Sequence, residues 1–182
     1  MAKARAIPDL SADEPMALGA ARIVAVRTEE LQEHSHEVLD LGDIERVHDM
    51  RVATRRLRAA LEVFEVCFPK ELHRPLLADV KELADALGER RDRDVAIDSL
   101  RAFAGKLAAP DRRGVEGLVE TLGLEQAEAN EALGPQVTAE RVESLCERLR
   151  ELAAEAHAAA PPPGNGEELA RGSSGNGAGA VR

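Results

Sequence analysis

Residues 47–58 read VHDMRVATRRLR, and this stretch decides the fold. At about 100° per residue, an α-helix divides the stretch and the residues after it between two adjoining faces. The first face is almost wholly apolar and consists of Val47, Met50, Thr54, Leu57, Leu61 and Phe64. The second, here called the basic face, consists of His48, Arg51, Arg55 and Arg58. The pattern predicts an amphipathic helix with a line of positive charge about 15 Å long beside its core face.

The basic face has few acids near it in the sequence. Structural surface helices usually interleave Glu or Asp with Arg at a spacing of four. The window from Arg46 to Arg58 holds five arginines and one acid, Asp49, so its charge is +4 in a chain of net charge −10, and the rest carries −14. A basic site in an acidic body disfavours a long DNA duplex or an anionic membrane and suits a compact polyanion. A solvated face on a structural helix remains the alternative.

The composition predicts an all-α protein of one domain. Ala, Leu, Glu and Arg dominate the 182 residues, and Trp and Tyr are absent. Glycines and prolines interrupt the helical spacing of apolar residues and predict an antiparallel bundle of about six helices. The predicted helices are 13–40, 43–68, 70–87, 91–108, 111–133 and 138–158. Residues 1–12 are predicted to be a flexible leader, 13–158 the helical domain, and 159–182 a disordered tail rich in Pro, Gly and Ser.

The sequence gives little support for a metal site, a disulfide or a membrane span. Cys67 and Cys146 are far apart at apolar helical positions, which indicates buried free thiols and a cytosolic protein. His34 and His36 would point to different sides of a helix, so we predict exposed histidines and neither a metal site nor a cofactor. The chain has no apolar run of about 18 residues and no signal-peptide pattern, so we expect a cytoplasmic protein without membrane contact.

The stretch 47–58 resembles the signature of the CHAD family, the conserved-histidine α-helical domain. Residues 87–95, LGERRDRDV, resemble the second landmark of that family, and the resemblance covers about residues 14–158. It implies a helical bundle whose basic surface binds inorganic polyphosphate, with polyphosphate-granule association in some members. Carried over by position, it implies phosphate contacts at His48, Arg51, Arg55, Arg56, Arg58, Lys81 and Arg91. Arg56 belongs to the motif but lies off the basic face.

The resemblance covers the first of two related helical halves, each of which has its own His/Arg helix in the family. We therefore expect either a shortened form with weakened binding or a homodimer in which each copy supplies one half. A C₂ dimer would place two basic faces together.

The function expected from the sequence is non-catalytic binding of inorganic polyphosphate. Arginine suits this ligand because its guanidinium stays charged and binds phosphate oxygens with two hydrogen bonds. One alternative is a helical module that docks an acidic protein partner. A metal-dependent phosphate hydrolase is less favoured, because His48 and Asp49 diverge by about 100° on a helix and no nucleophile with a neighbouring base is apparent. Nucleic-acid binding is disfavoured because aromatic stacking platforms are missing.

Overall fold

The structure is a computed structural model that describes residues 3–160 and places no β-strand among them. Five α-helices form a bundle, so the prediction of an all-α helical fold is confirmed, with five helices in this range rather than six. They are α1 (Met16–Glu33), α2 (Ile44–Val63), α3 (Lys70–Ala104), α4 (Ala109–Leu133) and α5 (Ala139–Ala159). Two 3₁₀ turns follow α2 and α4, at Glu65–Cys67 and Gly134–Gln136. The predicted tail lies outside the described residues except for its first two.

The core lies between α1, α2, α5 and the first half of α3. Helix α1 packs on both α2 and α5, and α2 packs on α3. The apolar face predicted for α2 is buried from Val47 to Leu61. Helix α4 packs mainly on α3 and buries a single described residue, Leu133. The second half of α3 and helix α4 therefore form a hairpin that shares little of the core.

Helix α2 starts where the sequence predicts but ends earlier. The carboxylate of Asp43 caps it by accepting a hydrogen bond from the backbone N–H of Glu45 at 3.3 Å. The helix ends at Val63 rather than at residue 68, because residues 65–67 tighten into a 3₁₀ turn before Pro69.

The first helix is also shorter than predicted. Helix α1 ends at Glu33, and the chain turns back through Glu37, whose φ of 54° lies in the left-handed region. The Glu37 carboxylate pairs with Arg46 at 2.8 Å, which ties the turn to α2. The predicted helix 13–40 is therefore wrong at its end, and His34 and His36 lie on a turn instead of a helix.

The predicted break at Gly88 is wrong, because Gly88 lies inside α3, a single helix of 35 residues. Glycine inside a helix costs only about 0.5–1 kcal/mol. Burial of Leu83 and Leu87 before it, and of Ile97 after it, outweighs that cost. The two predicted helices 70–87 and 91–108 are thus one.

Three smaller predictions can be compared with the structure. Both cysteines are free, with Cys146 buried and Cys67 half-buried, and burial raises the pKa of each thiol. Thr138 caps α5 by accepting from the N–H of Arg141 at 3.2 Å. Among residues 3–160, no helix is both long enough and apolar enough to cross a bilayer.

Candidate functional site

Helices α2 and α3 run antiparallel and bring the two sequence landmarks together. At one end, Arg91 donates from Nη1 to the carbonyl oxygen of Ile44 at 3.1 Å. At the other end, Nζ of Lys81 lies 3.2 Å from Oε1 of Glu62. The basic face of α2 therefore lies along the middle of α3.

A groove of about 380 Å³ runs between the two helices. Three arginines of the basic face line it from α2, namely Arg51, Arg55 and Arg58. From α3 the groove is lined by Ala84, Asp85, Gly88, Glu89 and Asp92. The small residues of α3 keep it open: a Cβ at Gly88 would lie 3.9 Å from Nε of Arg51.

The three arginines of the groove differ in how they are neutralised. Among residues 3–160, the guanidinium groups of Arg51 and Arg55 have no hydrogen-bond or ion-pair partner. Arg58 donates from Nε to Oε1 of Glu62 at 3.1 Å, and the same carboxylate meets Lys81. The hydrogen bonds from Arg58 and Lys81 lower the pKa of Glu62. At one end of the groove, Glu62 thus already pairs with the cations, whereas Arg51 and Arg55 have no such acidic partner among the described residues.

The α3 wall of the groove is acidic, a feature that the sequence reasoning missed. Asp85, Glu89 and Asp92 are all exposed and follow one another at spacings of four and three, as the three arginines do on α2. Within the described part of the chain, the ion pair across the groove is Arg58 to Asp85 at 3.9 Å. The groove is thus lined by three guanidinium groups and three carboxylates. The shared helical spacing of the acids around Gly88 was the available sequence signal.

Arg56, also predicted as a phosphate contact, lies on another side of α2. Its Nη1 is 4.0 Å from Glu30 of α1, whose side chain is almost fully buried. Burial opposes ionisation of Glu30, but the backbone N–H of Arg5 and the guanidinium of Arg27 outweigh this and lower its pKa. The structure therefore does not bring Arg56 together with the groove.

The shortage of acids within the window 46–58 is made up from other segments. Arg46 pairs with Glu37 at 2.8 Å and with Asp43 at 3.2 Å. Arg56 and Arg58 also have acidic partners. Of the five arginines in the window, Arg51 and Arg55 are therefore the two without a partner among residues 3–160.

His48 and Arg91 lie beyond the lining of the groove, near the start of α2. Besides its bond to Ile44, Arg91 meets Glu45 at 3.4 Å through Nη2. His48 is half-buried, with a ring nitrogen close to the carboxylates of Glu45 and Asp49.

Arg90 and Asp94 of the second landmark form a buried ion pair instead of facing the groove. Arg90 also donates from Nε to Asn130 at 3.2 Å, and Gln126 donates to Asp94 at 2.6 Å. Asn130 in turn donates to the carbonyl oxygen of Leu39 at 3.1 Å. This network joins α3 to α4 and to the turn before α2, and the sequence reasoning did not anticipate it.

Comparisons with known proteins identify the family of this chain. A family model described as CHAD domain matches residues 22–175. The chain is also similar to the crystal structure of the CHAD domain from the plant Ricinus communis, with a TM-score of 0.61 and 26% sequence identity. The match covers 85% of this chain and 52% of that chain, so this chain spans about half of that structure's length. None of the curated proteins matches it.

Proposed function

Because the chain belongs to the CHAD family, we propose that it binds inorganic polyphosphate in the groove between α2 and α3 without cleaving it. The observation that carries this proposal is the lining of the groove by Arg51, Arg55 and Arg58 at a helical spacing of four and three. Guanidinium groups on one side of a helix recur about every 6 Å, which suits a ligand that repeats the same charge along its length.

The residues would contribute unequally. Arg51 and Arg55 have no partner to release among the described residues, so they are the primary contacts of the proposal. Arg58 and Lys81 would have to exchange the Glu62 carboxylate for phosphate, and Arg91 the carboxylate of Glu45. His48 would extend the basic face at the start of α2. Arg56 is left out because it faces α1.

The acidic wall makes the proposed binding moderate in strength and sensitive to salt. A polyanion in the groove would meet Asp85, Glu89 and Asp92 as well as the arginines. Binding would therefore depend on close contact with guanidinium groups rather than on a long-range positive field. By analogy with nucleic acids, each phosphate neutralised releases counterions, so affinity would fall steeply as salt rises.

The test is direct titration of long-chain polyphosphate at two salt concentrations. Wild type is compared with Arg51→Ala/Arg55→Ala and with a control, Arg141→Ala/Arg150→Ala, which removes two exposed arginines from α5. We expect the first variant to lose at least about tenfold in affinity and much of the salt dependence, and the control to stay near wild type. Circular dichroism shows whether each variant is folded. Equal binding by all three folded proteins would contradict the proposal.

The same titration separates the alternatives. A module for an acidic protein partner would bind poly-glutamate at least as well as polyphosphate of equal charge. A metal-dependent hydrolase would release orthophosphate from polyphosphate on addition of Mg²⁺ or Mn²⁺, and we expect no release. Preference for single-stranded DNA of equal charge would favour a nucleic-acid binder. Association with polyphosphate granules in cells follows from the proposal and is checked by microscopy with the Arg51→Ala/Arg55→Ala variant.

We also propose that two copies of the chain pair through the α3–α4 hairpin. Apolar side chains are exposed on both helices of the hairpin, including Phe103 at 51% and Leu124 at 70%. This chain spans about half the length of the related structure, which leaves room for a second copy to supply what the longer chain contains. Light scattering of the 182-residue chain should give a dimer that Phe103→Glu/Leu124→Glu converts to a monomer. A wild-type monomer at working concentration would contradict this.

A further inference from the structure

A cluster of potential metal ligands lies at the start of α2, apart from the lining of the groove. Glu45, His48 and Asp49 each offer one ligand atom, and these atoms all lie within 4.8 Å of one another. Residues at i, i+3 and i+4 share one side of a helix, so the backbone of α2 holds the three side chains together. The cluster combines an imidazole with two carboxylates.

A cavity of about 230 Å³ beside this cluster adds two further histidines. It is lined by Glu33, His34, His36, Asp43, Glu45, Arg46 and Asp49. The turn between α1 and α2 brings His34 and His36 to the same cavity as two of the three clustered residues. Of the five histidines of the chain, three thus lie at or beside this cavity.

The charge around the cavity favours a cation. Four carboxylates line it, against the single guanidinium of Arg46, which already pairs with Glu37 and Asp43. The histidines add imidazole nitrogens, which are common ligands of divalent first-row metals.

We propose that this cluster binds one first-row divalent metal ion. Glu45, His48 and Asp49 would be its ligands, and His34 or His36 would supply a further nitrogen. Mixed imidazole and carboxylate sets suit Zn²⁺, Mn²⁺ and Fe²⁺. The site requires no polyphosphate to form and does not rest on the function proposed above.

The geometry is close to what an ion needs. Two bonds of about 2.1 Å let ligand atoms be at most about 4.2 Å apart. Because the three ligand atoms all lie within 4.8 Å of one another, they need to approach by no more than about 0.6 Å. The side chain of Glu45 is 57% exposed, and His48 and Asp49 are half-buried, so small rotations can achieve this. The ion would compete with the polar contacts that Glu45 and Asp49 already make, including the 3.4 Å contact of Glu45 with Arg91.

Calorimetric titration of the full 182-residue chain with ZnCl₂, and separately with MnCl₂, tests the proposal in buffer without phosphate. Mn²⁺ is included because it prefers carboxylates to thiols, so its binding cannot be assigned to the free thiol of Cys67. We expect one ion per chain and at least about a tenfold loss of affinity in Glu45→Gln/Asp49→Asn. The control Glu143→Gln/Glu147→Gln makes the same charge change at exposed positions on α5 and should bind as wild type does.

Imidazole NMR signals of the wild type provide a test that requires no variant. On addition of Zn²⁺, the signals of His48 and of His34 or His36 should shift, whereas those of His73 and His157 should not. Absence of one-to-one binding, equal affinity in the folded Glu45→Gln/Asp49→Asn variant, or shifts confined to His157 would each overturn the proposal. Because polyphosphate is absent throughout, these outcomes are independent of whether the groove binds it.

Discussion

Arg58 and Glu62 lie one turn apart on α2 and share a hydrogen bond of 3.1 Å between Nε and Oε1. The same carboxylate oxygen lies 3.2 Å from Nζ of Lys81, so Glu62 pairs with both cations at this end of the groove. Both contacts lower the pKa of Glu62, because the two cations stabilise its ionised form. Glu62 therefore occupies two cations that a bound polyanion would use.

Replacing Glu62 with Gln should tighten polyphosphate binding. The amide keeps the shape of the side chain but removes the charge that competes for Arg58 and Lys81. Exposed ion pairs contribute about 0.2–1 kcal/mol, so we expect a gain of up to about fivefold in affinity at low salt. The measurement is a titration beside Glu147→Gln, an exposed acid of α5 outside the groove lining. Equal tightening in both variants would assign the effect to net charge alone.

Neutralising the acidic wall of the groove should also raise the affinity for polyphosphate, and by more than Glu62→Gln does. Neutralising Asp85, Glu89 and Asp92 as Asn, Gln and Asn removes three carboxylates that line the groove. A unit charge about 8 Å away in water contributes about 0.5 kcal/mol, so three removals should raise the affinity about tenfold at low salt. The slope of affinity against salt should change little, because the arginine contacts remain. Weaker binding in the triple variant would show that these carboxylates assist the ligand.

Gly88 offers a test that separates groove shape from charge. A Cβ at this position would meet Nε of Arg51 at 3.9 Å, an ordinary contact distance. Gly88→Ala should raise the free energy of unfolding by about 0.5–1 kcal/mol, because it removes a glycine from a helix interior. Gly88→Leu should keep the fold but fill the groove beside Arg51 and weaken polyphosphate binding. Urea unfolding and ligand titration of both variants provide the measurements, and unimpaired binding by Gly88→Leu would place the ligand elsewhere.

The sequence predicted the parts of the site that one helix determines. The positions of Arg51, Arg55 and Arg58 on one side of α2 follow from spacing alone, and so does burial of the apolar face from Val47 to Leu61. Contacts between helices were not predictable in this way. Arg56, for example, lies 4.0 Å from Glu30 of α1, and Arg58 lies 3.9 Å from Asp85 of α3.

The break predicted at Gly88 shows why local signals mislead within a bundle. Glycine followed by charged residues is typical of a helix end in isolation. Here the apolar spacing of α3 resumes after Gly88, and the buried pair of Arg90 and Asp94 extends the packed side of the helix toward α4. Whether a helix ends or continues at such a glycine is decided by tertiary packing, which the spacing of single residues does not reveal.

Glu30 predicts how the stability of the fold depends on pH. Its folded pKa is lowered below the ordinary value of 4.5, so the stabilisation is present above that pH and is lost as pH falls through the folded value. Glu30→Gln should be less stable than wild type at pH 7 by at least about 1 kcal/mol, because Arg27 loses a carboxylate at 2.6 Å. The difference should narrow as pH falls below about 4.5.

Urea unfolding of wild type, Glu30→Gln and the exposed control Glu151→Gln between pH 7 and pH 3 measures this dependence. The control should follow wild type at every pH. A constant difference between wild type and Glu30→Gln across the range would show that its ionisation is not linked to folding.

The buried pair of Arg90 and Asp94 predicts strong coupling between two positions of the second landmark. Removing one partner leaves the other charge buried, so Arg90→Met or Asp94→Leu alone should cost about 3–5 kcal/mol of unfolding free energy. The double variant should cost clearly less than the sum, because it leaves no unpaired charge. Urea unfolding of the four proteins gives the coupling energy, and additive losses would contradict the pairing.

The neighbouring Arg91 separates this structural role from ligand binding. Arg91 contacts the start of α2 through a side chain that is 15% exposed, whereas the fully buried Arg90 joins α3 to α4 through Asn130. At a temperature where every variant is folded by circular dichroism, Arg91→Ala should weaken polyphosphate binding with little loss of stability. The Arg90→Met/Asp94→Leu variant should bind as wild type does. Asn130 also donates to the carbonyl oxygen of Leu39, in the turn that precedes α2. If the double variant is folded but loses binding, we would infer that this network also positions the groove.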